Sequence, residues 1–428
     1  RDDVESRGLG DVYKRQGLLY PQNGTSTCRT RRSDPLTSGR RRLTTVRRNR
    51  RPRPCTTGAR QRRESDFPVT TVLPTPVPPA AGAPARQLSD RWGRVADDLR
   101  ISLIDKCNLR CTYCMPAEGM AWLKKDALLT ADEAVRIADI GVRVFGVRDV
   151  RFTGGEPLVR RDLADIIAGF RSLHPDVPVS LTTNGINLDK RVDELVAAGL
   201  TRVNVSLDTV DREVFARVTR RDRLPQVIRG LAAAKAAGLD PVKVNAVLMR
   251  GVNDTGAADL LAWCLERGYQ LRFIEQMPLD ADHNWARRNL VSGAEVRGRL
   301  SERFDLTPDP APRGSAPAQL WEVREKTTAG QDAPVLGKVG VIASVTESFC
   351  ASCSRTRVTA DGRVRSCLFS RQETDLLSVM RSGASDREIA DVWAGAMRLK
   401  PRAYGSDGVT LDDPGYVQPE RTMSAIGG

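Results

Sequence analysis

The feature that most restricts this chain is a strand–helix alternation repeated six times between residues 97 and 278. Strand patterns stand at LRISL (99–103), DVRFT (149–153), VPVSLTT (177–183), RVNVSLD (202–208), VKVNAVL (242–248) and QLRFIEQ (270–276). The helical patterns between them have readable ends. Thr130 with Glu133 predicts a capping box and Gly146 a stop. Asp189 predicts the cap of a helix ending at Gly199, and Pro225 the first turn of one closing at Gly238. Such units in series imply parallel strands with right-handed crossovers, hence a barrel or an open wound sheet.

Parallel strands covered on both faces read as continuous apolar runs. These alternate instead. One face carries Arg100 and Ser102, Arg151 and Thr153, Ser180 and Thr182, Asn204 and Ser206, Lys243 and Asn245. The other carries Leu99, Ile101, Leu103, Val150, Phe152, Val203, Val205, Val242 and Val244. A closed eight-stranded barrel fills its interior with Val, Ile and Leu. The polar face therefore predicts an incomplete (β/α)6 TIM-like barrel over 97–278 whose lumen holds a polar ligand. An antiparallel edge facing solvent would also look polar, but the intervening helices should cover the outside. Beyond residue 278 the alternation stops, and PDPAPRGSAPAQ (308–319) reads as a loop. Residues 279–428 are expected to form a smaller C-terminal α+β domain.

The net charge of +14 is concentrated at one end. Residues 1–90 hold 19 Lys/Arg against 8 Asp/Glu, and the rest hold 48 against 45. The Arg-, Pro-, Ser- and Thr-rich start has almost no apolar periodicity and reads as a disordered or non-native extension. The remainder is nearly neutral, which argues against nucleic acid as a partner. No apolar run has the roughly 18 residues of a membrane span, and the first thirty residues contain no signal-peptide core, so no membrane association and a cytoplasmic location are expected.

Nine cysteines without secretory context do not suggest a disulfide framework. Cys28 and Cys55 lie in the extension, and Cys264 sits in an apolar helical pattern as a core thiol. The other six form two triads, Cys107, Cys111 and Cys114 in CNLRCTYC, and Cys350, Cys353 and Cys367 spaced C-x2-C-x13-C. Each is one ligand short of a structural zinc site, and the two histidines, His174 and His283, are distant in sequence. Three thiolates can instead hold three irons of a 4Fe–4S cluster and leave the fourth open. The first triad follows the first strand, at the end where such barrels place their chemistry.

C-x3-C-x2-C after the first strand, with Tyr113 before the last Cys and TGGEP (153–157) closing the second, resembles the radical S-adenosylmethionine (SAM) superfamily. With C-x2-C-x13-C, SRTR within it and the ending MSAIGG, residues 97–428 resemble its GTP 3′,8-cyclase family of molybdenum cofactor biosynthesis. The resemblance implies two 4Fe–4S clusters, one on each triad, with SAM on the open iron of the first. It implies SAM contacts from Tyr113, Gly155, Ser206 and Met277, the glycines 154 and 155 allowing close backbone approach. It implies GTP contacts from Arg100, Arg151, Thr182, Lys243, Arg355, Thr356 and Arg357, with Arg355, Arg357, Gly427 and Gly428 taking part in catalysis; whether Arg272 joins the site stays open. SAM cleavage would give a 5′-deoxyadenosyl radical that takes hydrogen from C3′ of GTP, the ribose radical then attacking C8 while the second cluster binds the base. The partners implied are a low-potential flavodoxin- or ferredoxin-type electron donor, a downstream cyclic pyranopterin monophosphate synthase and a second copy of the chain in a homodimer. A peptide-modifying radical SAM enzyme would show more cysteines after Cys264. A zinc-bearing nucleic-acid module would contain zinc and bind with steep salt dependence.

Overall fold

The computed structural model describes residues 86–326, 333–403 and 416–427. Most of the basic extension, with Cys28 and Cys55, and also Gly428, lie outside the described residues. The six expected strands form as β1 (Asp98–Ser102), β2 (Asp149–Thr153), β3 (Val179–Thr183), β4 (Arg202–Ser206), β5 (Lys243–Leu248) and β6 (Gln270–Glu275). Each pairs in parallel with the next. The helices between them are α1 (Ala131–Phe145), α2 (Leu163–Leu173), α3 (Leu188–Ala197), α4 (Arg212–Thr219), α5 (Leu224–Ala236) and α6 (Ala257–Glu266).

Local sequence explains most helix ends. Thr130 and Glu133 form the reciprocal capping box of α1, which Gly146 closes in the left-handed region at φ 70°. Pro225 occupies the first turn of α5. The cap expected at Asp189 is a correction. The backbone turns at Asn187 (φ 69°), one position before α3, so Asp189 falls inside the first turn and pairs with Arg229 instead.

The later segment adds to the same sheet. After α7 (Gly293–Ser301) come β7 (Phe304–Pro308), β8 (Gln319–Glu325), β9 (Val335–Ile342), β10 (Arg355–Val358), β11 (Arg363–Arg365) and β12 (Thr374–Asp375). The strand order is β12-β11-β10-β1-β2-β3-β4-β5-β6-β9-β8-β7. β10 joins β1 in parallel and β9 joins β6 in parallel, so the chain beyond 278 extends both edges of the six-stranded core. Then follow α8 (Leu377–Arg381), α9 (Asp386–Arg398) and the short α10 (Met423–Ile426). The apolar strand face is buried, with Leu99, Ile101, Phe152, Val203, Val205 and Val244 all fully covered in one core with the helices. Burying such side chains contributes roughly 1.5–3 kcal/mol each. The polar face is left to line the inside.

Candidate active site

One cavity draws on the strands that flank both edges of the six-stranded core. Arg100, Arg151, Thr182, Ser206, Asn245 and Arg272 reach it from successive strands, Arg355 and Arg357 from β10, and Ile342 from β9. Tyr113, Asp208, Met277 and Met423 line it near the first cysteine loop, and Cys350, Cys353 and Cys367 line it on the other side.

Register puts like charges next to one another. Arg357 stands opposite Arg100 in the β10–β1 ladder, and Arg100 stands opposite Arg151 in the β1–β2 ladder. Like charges directly opposed on a sheet are destabilising. Asp98 is the carboxylate among them, 3.5 Å from Arg100 Nη2. Burial works against its charge, but Arg100, Arg151 and Arg355 hold it at about 2. The Nε atoms of Arg100, Arg355 and Arg357 are buried without a hydrogen-bond partner. Burial, with neighbouring cations, lowers Arg100 well below the guanidinium range, Arg357 to about 10 and Arg272 to about 9. A row of desolvated cations with spare donors is a site for a polyanion, and guanidinium forks suit phosphate oxygens.

Arg272 is fixed by bonds to Asn204 Oδ1 (2.6 Å) and Asn245 Oδ1 (3.0 Å). Lys243, at the start of β5, does not line the cavity but lies beneath it; burial and then Arg272, Arg202 and Arg151 lower its ammonium to about 8. Thr356 is a correction. Strand alternation turns it to the opposite face, where it is fully buried and accepts 3.0 Å from Trp393 Nε1. Gly155 also has a different local role from the one expected. A Cβ there would overlap the carbonyls of Asp105 and Lys106, so the glycine lets the β2 turn lie on the cysteine loop backbone, where Gly155 N donates to Ile104 O.

The six triad cysteines are free thiols, none in a disulfide. Cys107 Sγ accepts from Leu109 N (3.4 Å) and Asn184 Nδ2 (3.8 Å), as metal-bound thiolates commonly do. Burial pushes Cys107 up to about 12 and Cys114 up to about 11. Cys353 differs: burial would raise it, but Arg355 and Lys400 bring it down to about 6. Lys400 also donates to the carbonyls of Cys353 (3.0 Å) and Arg355 (2.9 Å). Among the described residues no three Cys, His, Asp or Glu side chains close on one point as a lone ion requires. Two sets of three free thiols have the residue chemistry to hold clusters bound by thiolates.

Several lining residues went unnoticed in the sequence. Asp208 continues the 204, 206, 208 alternation of β4, a signal that was available. Burial pushes its carboxyl up to about 6 against hydrogen bonds from Val247 N and Tyr113. Phe349 and Glu275, which line the cavity, and Lys400, which backs it through Cys353 and Arg355, gave no such signal. Glu275 anchors Gly293 N (2.7 Å) and Val345 N (2.7 Å), tying β6 to α7 and the segment after β9. The tail enters through Met423, and Gly427 packs between Ser102 and Thr153.

The model of the Radical SAM superfamily matches residues 101–264, and that of Molybdenum Cofactor Synthesis C matches 269–406. The GTP 3′,8-cyclase of Paenarthrobacter nicotinovorans is 61% identical over 359 residues, covering 83% of this chain and 100% of that protein. Those of Mycolicibacterium smegmatis and Corynebacterium glutamicum are 56% and 52% identical, covering 94% and 92% of their lengths and 82% of this chain each. No helix among the described residues is long and apolar enough to cross a membrane.

Proposed function

The chain belongs to the GTP 3′,8-cyclase family of radical SAM enzymes, and from that premise we propose which residues carry the reaction. The activity is the cyclisation of GTP to (8S)-3′,8-cyclo-7,8-dihydroguanosine 5′-triphosphate, the first step of molybdenum cofactor biosynthesis. Membership brings a 4Fe–4S cluster and SAM. When bound, that pair supplies a 5′-deoxyadenosyl radical from one electron and one SAM.

Cys107, Cys111 and Cys114 hold this cluster, and Tyr113, Ser206, Met277 and the Gly155 turn position SAM. Arg100, Arg151, Arg272, Arg355 and Arg357, with Lys243 beneath and Thr182 beside them, bind the triphosphate and ribose of GTP. Thr356 is left out, because its hydroxyl is engaged by Trp393 on the other face. Cys350, Cys353 and Cys367 would hold a second 4Fe–4S cluster on the same cavity, and the walls of that cavity would fix base against ribose. Gly427 closes the site against water. Residues 97–278 are the radical SAM body, and 279–428 bring the second triad and the tail. A low-potential flavodoxin- or ferredoxin-type carrier delivers the electron, a cyclic pyranopterin monophosphate synthase takes the product, and a homodimer is the assembly that the resemblance implies.

The observation that carries the GTP assignment is the Arg357–Arg100–Arg151 row, three guanidinium groups in adjacent ladder positions, of which Arg357 and Arg100 keep buried, unpaired Nε atoms. The test is anaerobic reconstitution with iron and sulfide, followed by SAM, reductant and GTP. About eight irons per chain and GTP-dependent 5′-deoxyadenosine are expected for two clusters of four. About four irons would refute the second cluster. Replacing Cys367 by Ala should leave SAM cleavage and abolish cyclisation; full cyclisation would remove the second triad from the substrate site.

A further inference from the structure

The cysteine loop of the first triad has an outer side that substrate binding does not use. Its backbone is held from outside by the end of α4: Arg110 N donates to Thr219 O (3.0 Å) and Thr112 N to Val218 O (2.9 Å). Arg220 then donates to Met115 O (2.9 Å), and Arg110 folds back onto Cys107 O (2.7 Å). On the far side, Leu123 N donates to Asp105 Oδ2 (2.6 Å), which brings Lys124 and Lys125 to the same rim, and Lys125 acts on Asp162 next to Arg161. The three cysteines are mostly buried, each with a part of its surface exposed.

Cations are in excess on this rim. Lys106, Lys124, Lys125, Arg161, Arg217 and Arg221 are exposed and form no salt bridge among the described residues. Surface arginines elsewhere are commonly engaged, as Arg143, Arg297, Arg303 and Arg381 are. The acids of the same segments offset little. Asp162 is held by Arg160, Asp222 by Arg212, and Asp211 caps α4, leaving Glu118, Asp126 and Glu213 exposed. Residues 91–428 hold 48 Lys/Arg against 45 Asp/Glu, so a rim with this excess stands out from a nearly neutral body.

We propose that this basic rim around the cysteine loop is the docking surface for an acidic one-electron carrier protein. The proposal rests on the first triad holding the SAM cluster. An electron must reach that group from outside, and the cysteine loop is the segment that would hold it. Electron-transfer encounters are small and steered by charge rather than held by large apolar interfaces. Free cations around the cysteine loop supply that steering without a groove.

The test uses the reconstituted full chain, with reduced flavodoxin as the protein probe and dithionite as the small one. The variants are Arg217→Glu/Arg221→Glu and Lys124→Glu/Lys125→Glu, none of them in the cavity. At low ionic strength, flavodoxin-driven 5′-deoxyadenosine formation should fall about tenfold or more in each, with a flatter salt dependence. Iron content and the dithionite-driven rate should not change. Neutral Arg217→Gln/Arg221→Gln should fall between. Unchanged flavodoxin-driven rates, or equal losses with both reductants, would overturn the proposal. So would a wild-type flavodoxin-driven rate indifferent to salt while dithionite still works. If dithionite also gives no deoxyadenosine with wild type, the fault lies with the cluster assignment itself.

Discussion

The Tyr113 hydroxyl donates a 2.8 Å hydrogen bond to Asp208 Oδ2, and Asp208 Oδ1 accepts 2.8 Å from Val247 N. The cysteine loop is thereby fastened to the segment after β4 and to β5, across the cavity that all three residues line. Tyr113→Phe keeps the ring and removes the link, leaving a buried carboxylate short of a donor at roughly 1–3 kcal/mol. The KM for SAM should rise several-fold more than kcat falls, with iron content unchanged. Titrating deoxyadenosine formation with SAM checks this, and an unaltered KM would detach the pair from SAM positioning.

Thr356 separates a reading by motif from a reading by geometry. Its hydroxyl serves the buried Trp393 indole. Thr356→Val should lower stability by about 1–3 kcal/mol, because a buried N–H loses its acceptor. The KM for GTP should stay within about twofold, since no side-chain contact with the nucleotide is lost. Denaturant melts and initial rates decide; a large KM change with unaltered stability would restore Thr356 to the substrate site.

Gly427 has φ 83°, and a Cβ there would stand 2.6 Å from Thr153 Cγ2 and 2.7 Å from Ser102 Oγ. Gly427→Ala combines a left-handed backbone, costing about 1–2 kcal/mol for an L side chain, with a clash at the ends of β1 and β2. The tail should leave its slot and withdraw Met423 from the cavity. The ratio of cyclised product to deoxyadenosine should fall at least about tenfold, that loss corresponding to about 1.4 kcal/mol. The melting temperature should barely move, because only the chain end is released. An unchanged product ratio would show that the tail takes no part in closing the site.

Glu156 is buried and accepts from Thr183 Oγ1 (2.6 Å), Asn184 N (2.6 Å) and Leu158 N (2.9 Å). Burial outweighs these bonds and pushes its carboxyl up to about 7 from 4.5. The folded chain therefore holds this proton more tightly than the unfolded chain. Its contribution to stability, on the order of 3 kcal/mol, is complete below pH 4.5 and lost as pH rises through about 7. Glu156→Gln should lower stability overall, because one carbonyl oxygen cannot replace two carboxylate oxygens. It should also abolish the decline between those limits. Thermal melts of the cluster-free protein across that range test this; parallel curves for the two proteins would disprove it.

Much of this site was legible from local pattern. The alternation along β1 to β5 named Arg100, Arg151, Thr182 and Ser206, and all four line the cavity. Asp208 obeyed the same period and was passed over. Lys243 obeyed it too, but its place at the start of β5 keeps it below the lining. Thr356 was misassigned because a short motif was read as three adjacent contacts, whereas a strand sends its middle residue to the other face. Lys400 and Arg272 were not decidable, since their partners, Cys353 and Arg355 for one and Asn204 and Asn245 for the other, come from other elements.

The sequence by itself determined the chemistry available: two sets of three thiols, a strand series polar on one face, and a glycine-bearing turn. Those follow from residue type and spacing, which are local. Only the tertiary structure decided which charges meet. β10 lies against β1 although some 250 residues separate them, and that pairing puts Arg357 beside Arg100. No period in a sequence encodes such a register. It is set by which apolar faces pack together, and the row of arginines is the consequence.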